Sequence, residues 1–183
     1  MMGLARCWAA RALAAALPLA GLAACATPAL IDHIGVEPKR QPVVADAPPR
    51  VLDPRARLQC APFARQASGI QIYGNANTWW RQAAGRYRRS SAPAPGSVLV
   101  LRGYHNPRRG HVAVVTDVVS SRVIRVDQAN WLNGGEVTVA VPVMDVSPSN
   151  DWSQVRVWHI PSGAWGARIY TADGFIHASR ALS

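Results

Sequence analysis

The order of sequence patterns predicts an α+β domain in which N-terminal helices pack on an antiparallel β-sheet. Two observations carry that expectation. Apolar residues recur at helical spacing near residue 60, and beyond residue 96 the chain becomes a train of short β-branched runs divided by turn residues. No internal repeat interrupts the series, and the region 55–183 is long enough to bury one core.

Cys60, Phe63, Ala64 and Ala67 share one face of a helix. Pro62 lacks a backbone N–H and fits only a first helical turn, so the helix is expected to begin at Cys60. Gly69 is its expected C-terminal stop, and its apolar face is expected to lie on the sheet. A second helix is expected over 77–84, with Asn77 as N-cap, Gly85 as stop and Trp79 and Trp80 on its surface. The basic stretch 86–91 reads as exposed. Strands are expected at 97–102, 111–119, 122–127, 136–143 and 154–160. A tail hairpin, 167–170 with 175–177, is expected to turn at Asp173-Gly174.

Ahead of this region lies a leader. Arg6 and Arg11 precede the apolar run 12–20, which is too short to span a bilayer and is laid out as a secretory signal over 1–24. Leu22-Ala23-Ala24-Cys25 resembles the bacterial lipobox, which implies a lipid anchor on Cys25; an ordinary signal peptide is the alternative. Ala26 after that cysteine implies sorting to the outer membrane, facing the periplasm. Residues 25–54 hold six prolines and no hydrophobic period, and read as a lipidated cysteine followed by an extended tether.

Processing would leave Cys60 as the one free thiol, because Cys7 goes with the leader and Cys25 carries lipid; three cysteines also argue against a disulfide framework. The chain has 20 basic and 10 acidic residues, a formal charge of +10. That surplus suits anionic surfaces such as cell wall or phospholipid headgroups, or solubility alone. No basic-aromatic motif points to nucleic acid, and a monomer is expected.

A cysteine at a helix start meets unpaired N–H groups and roughly half a positive charge, which favours thiolate. The alternative is a small buried core residue. A nucleophile also needs a base and the base an orienting partner. His33 falls in the tether; His159 and His177 fit structural positions, and His105 lies in a loop. His111 opens an apolar strand at a sheet rim, where an ordered imidazole reaches a helix start. If Ser120-Ser121 is a two-residue turn, His111 lies opposite Asn130; a three-residue turn or one bulge brings Asp127 to that face instead. No HExxH or CxxC spacing suggests a metal, and no cofactor is expected.

Gln59-Cys60 at a helix start, Gly110-His111-Val112-Ala113-Val114-Val115 on a strand, and Val126-Asp127-Gln128-Ala129-Asn130-Trp131 on the next together resemble a CHAP domain, the cysteine- and histidine-dependent amidohydrolases/peptidases. The resemblance covers roughly 55–160 and implies a papain-like, NlpC-like α+β fold for a catalytic domain over 55–183. It also implies cleavage of peptidoglycan, as an N-acetylmuramoyl-L-alanine amidase or a peptide endopeptidase. Carried over by position, Cys60 is the nucleophile and His111 the base. The family's third residue is usually an acid followed two positions later by Asn, whereas Asp127 and Asn130 are three apart. Asp127 is favoured as orienter with Asn130 close by, and Gln59 is the oxyanion candidate beside the Cys60 N–H. The alternatives are an inactive wall-binding lipoprotein of the same fold and an amidase acting on a small amide.

Overall fold

The computed structural model describes residues 47–180. The predicted leader, Cys25, His33 and most of the proline-rich stretch lie outside the described residues. Within them, β1 (Arg50–Asp53) is already paired with a later strand, so ordered backbone reaches into the stretch read as tether.

Helix α1 spans Cys60–Ser68, as the position of Pro62 requires. Gly69 ends it in the left-handed region, φ 75°, and its N–H donates to Arg65 O at 3.0 Å. The second helix is shorter than expected. A 3₁₀ turn, Ala76–Thr78, leads into the single-turn α2, Trp79–Gln82. Trp79 is buried and Trp80 half-buried, its ring lying under Arg89 at 4.8 Å.

The remaining elements are strands: β2 (Tyr87–Ser90), β3 (Val98–Arg102), β4 (Gly110–Ser120), β5 (Val123–Ala129), β6 (Val137–Asp145), β7 (Gln154–His159), β8 (Ala164–Trp165) and β9 (Tyr170–Arg180). The basic segment read as exposed forms β2, an edge strand on β9 with Arg88 and Arg89 exposed. Alternation explains why these segments pair. Odd-numbered Leu99, Leu101, Ala113 and Val115 face one core with Ile124, Val126, Val155 and Phe175. The intervening Val98, Val100, Val112 and Val114 face a second core, under Ala61, Ala64, Ile70, Ile72 and Trp79.

The expected fold class, a papain-like α+β fold with N-terminal helices packed on an antiparallel β-sheet, is not what forms. The molecule is mostly β: β3, β4, β5, β6, β7 and β9 pair in that cyclic order and close a six-stranded antiparallel barrel, with two short helices outside. Closure depends on β9. Asp173-Gly174 is no hairpin turn but an irregularity inside one continuous strand, which pairs with β3, β7 and β2. The first core fills the barrel; the second lies between its outer wall and α1.

Two further irregularities set the register that matters. Between β4 and β5 the pairing shifts at Val115/Asp117 and again at Val118/Ser120, ending at Val114↔Asp127. Continued at that register, His111 stands opposite Asn130, and Gln128 is its diagonal neighbour on the same face. Asp127 falls on the other face.

Candidate active site

Cys60 is the first residue of α1, and its half-buried side chain packs against the outer-wall core beside β4. Gln59 is the N-cap residue, yet its side chain makes no capping bond. Its Oε1 accepts instead from Asn130 Nδ2 at 2.8 Å. Asn130 Oδ1 in turn accepts from Gly135 N–H at 2.9 Å, and Leu58 N–H donates to Gly135 O at 2.9 Å. These bonds tie the start of α1 to the 130–136 loop. Asn130 has φ 59°, a left-handed conformation that asparagine tolerates better than most side chains.

His111 lies at the rim of the barrel. Its Nε2 is 2.9 Å from Gln128 Oε1, and the ring meets Trp131 edge-on with centroids 4.8 Å apart. A carboxamide oxygen only accepts, so this contact assigns the hydrogen to Nε2 and leaves the lone pair on Nδ1. Cys60, Gln59, His111, Asn130 and Trp131 line one open cleft of about 1420 Å³.

Neither residue weighed for the orienting position hydrogen-bonds to the imidazole. The Asp127 carboxylate accepts from Ala140 N–H at 2.9 Å, where β6 carries an extra residue opposite Val126/Gln128. It therefore satisfies a donor that the bulge takes out of the ladder. Burial raises its pKa, while the Ala140 N–H and the Arg50 charge act in the opposite direction. Asn130 is committed to Gln59 and Gly135. The imidazole's partner is Gln128, a residue the sequence reading quoted but did not consider. Two signals pointed to it: it alternates onto the face of Asn130, and it precedes Asn130 by two positions.

The other histidines among the described residues have other partners. His177 Nε2 lies 2.8 Å from Ser90 Oγ, and His159 Nδ1 lies 2.8 Å from Ser162 Oγ. His105 packs against Tyr104 at 4.1 Å between centroids.

Electrostatically the pair is neutral at rest. Burial pushes the Cys60 thiol up, although the N–H groups of Val112, Ala61 and Cys60 itself pull it down. The thiolate expected from the helix start is thus outweighed by desolvation. Burial lowers the His111 pKa to about 4, against the Gln128 hydrogen bond and the Glu136 charge, which both raise it. Glu136 is buried and holds the loop: Oε1 accepts from Leu132 N–H at 2.6 Å and Oε2 from Gly134 N–H at 2.9 Å. Among the described residues no group of His, Cys, Asp and Glu is arranged to hold a metal ion.

A neutral thiol and a neutral, oriented imidazole in one cleft can perform acyl transfer with general-base assistance. A comparison with curated proteins finds no match. The CHAP-domain family model matches residues 53–130, from the end of β1 through Cys60 and His111 to Asn130, and CHAP domains are hydrolases of the cysteine/histidine type associated with peptidoglycan.

Proposed function

We propose that this chain is a cysteine-dependent peptidoglycan hydrolase, an N-acetylmuramoyl-L-alanine amidase or a peptide endopeptidase. The observation that carries the reading is the single cleft lined by Cys60 at a helix start and by His111 with its Nε2 on Gln128. His111 Nδ1 takes the thiol proton as Cys60 Sγ attacks the amide carbonyl. The tetrahedral oxyanion is met by the Cys60 N–H and by Gln59 Nε2, which is turned away from Asn130 because Oε1 holds that bond. The imidazolium gives its proton to the leaving amine, and a thioester remains. His111 then removes a proton from water, which attacks the thioester and releases the carboxylic acid and the free thiol.

In this reading Gln128 orients the base and Asn130 orients the oxyanion donor. Asp127 has a structural place in the β5–β6 bulge. Lipidation of Cys25 and attachment to the outer membrane, facing the periplasm, are part of the same proposal and rest on the lipobox-like Leu22-Ala23-Ala24-Cys25. The purified chain should release new amino groups from cell-wall sacculi, and Cys60→Ala should release none; equal release by Cys60→Ala would refute it. Muropeptide mass spectrometry of the same digest identifies the bond cut.

A further inference from the structure

Among the described residues, the cleft beside Cys60 is lined by Arg65, Arg102, Arg108, Arg109 and Arg168 and by no carboxylate. Arg102 is paired with Asp173 at 2.7 Å. The other four guanidiniums enter no ion pair among the described residues. Arg65 lies over Tyr73 at 4.5 Å and Arg168 over Tyr104 at 5.1 Å. Stacking fixes the plane of a guanidinium while leaving its N–H edge open to an anion.

These charges are carried on ordered backbone. Gly103 N–H donates to Arg109 O at 3.1 Å, Arg109 N–H to Asn106 O at 3.1 Å, and Asn77 Nδ2 to Pro107 O at 3.0 Å. The loop bearing Arg108 and Arg109 runs directly into His111. On another wall a file of rings leads away from the base. His111 meets Trp131, Trp131 meets Tyr170 at 5.2 Å, and Tyr170 meets Tyr104 at 5.7 Å, beneath Arg168.

Like charges around a concave surface with no acid among them repel one another and focus a positive potential into the cleft. An anion relieves that repulsion; a neutral ligand does not. A neutral amide backbone gives no reason for four uncompensated guanidiniums, whereas carboxylates flanking the scissile bond do. We propose that the cleft distinguishes peptides with free carboxylates from the same peptides with those carboxylates amidated, and that Arg109 and Arg168 are its specificity-determining residues. The choice of a wall peptide as ligand rests on the hydrolase reading, while the binding preference itself needs no turnover.

The test is calorimetric titration of the full chain carrying Cys60→Ala. One probe is the stem tripeptide L-alanyl-γ-D-glutamyl-diaminopimelate; the other is that tripeptide with its carboxyls amidated. The free acid should bind about tenfold tighter or more, as charge-assisted hydrogen bonds to arginine predict. Arg109→Gln and Arg168→Gln should each narrow the difference without weakening the amide, and added salt should narrow it further. Equal affinity for acid and amide, a preference that survives both substitutions, or no binding of either probe would overturn the inference. The two readings fail separately. Sacculus digestion by the wild-type chain without an acid preference leaves the hydrolase and removes the inference; an acid preference in a chain that releases no amines does the reverse.

Discussion

An imidazole half-buried at the rim of a barrel, with a carboxamide rather than a carboxylate at its Nε2, has little to hold it charged, and desolvation lowers the His111 pKa to about 4. In the proposed mechanism the neutral ring is the base, so protonation would idle the site only when pH falls towards that value. The acid limb of kcat/KM should therefore lie near pH 4, far below the limb of an unburied histidine. Gln128→Glu puts a carboxylate against the ring, favours imidazolium and should move the limb upward by about 1 to 3 pH units. A pH profile on soluble muropeptides reads this directly; an unmoved limb would mean that Gln128 does not hold the working base. Cys60 and His111 were legible as residues because each sits at an element boundary with a strong local signature. Gln128 was harder to find, since a neutral amide has no charge to mark it and the choice was framed around an acid or the residue directly opposite.

At the scale of elements, the site is an agreement between α1, the start of β4 and the 130–136 loop. Glu136 organises that loop with both carboxylate oxygens accepting from backbone N–H groups. Glu136→Gln replaces one acceptor by an NH₂ facing a donor in a buried position. The expected cost is about 1.5–3 kcal/mol, the range for hydrogen bonds to a charged group. Trp131 should lose its fixed edge-on position against His111, so kcat should fall and tryptophan emission should shift in the native state. Denaturant midpoints and emission spectra check both; native-like values for both would count against the role given to Glu136. The strands β3 to β7 were legible through alternation, with ends correct to within a few residues. The β4–β5 register came out as the two-residue turn implied, but by a different route: two bulges undo the shift that the Ser120↔Val123 end introduces. Bulges carry no sequence signature strong enough to count in advance. The second helix was overestimated because its bounds came from the cap signals Asn77 and Gly85, whereas the chain forms a 3₁₀ turn over Ala76–Thr78 and only one α-helical turn, Trp79–Gln82.

Whole-molecule closure was the feature least visible in the sequence, and it turns on one glycine. Asp-Gly between two apolar runs is a strong hairpin signal, so the tail read as a hairpin of two short strands. In the barrel Gly174 stays inside β9, with φ 129°, and lets the strand bend between β3 and β2. A Cβ there would stand 2.7 Å from Ser90 O and 2.9 Å from the Trp80 ring. Neither neighbour moves cheaply, as Ser90 belongs to β2 and Trp80 is half-buried under Arg89. Gly174→Ala thus combines a backbone conformation nearly reserved for glycine with overpacking, and should cost roughly 3 kcal/mol. Gly69→Ala is the control, because Gly69 also has positive φ but a Cβ there meets nothing within 4 Å. It should cost only about 1 kcal/mol, the strain of a left-handed alanine. Urea denaturation of both variants measures the difference. Equal losses would mean that β9 has room at its bend, and that the barrel does not depend on Gly174 to close.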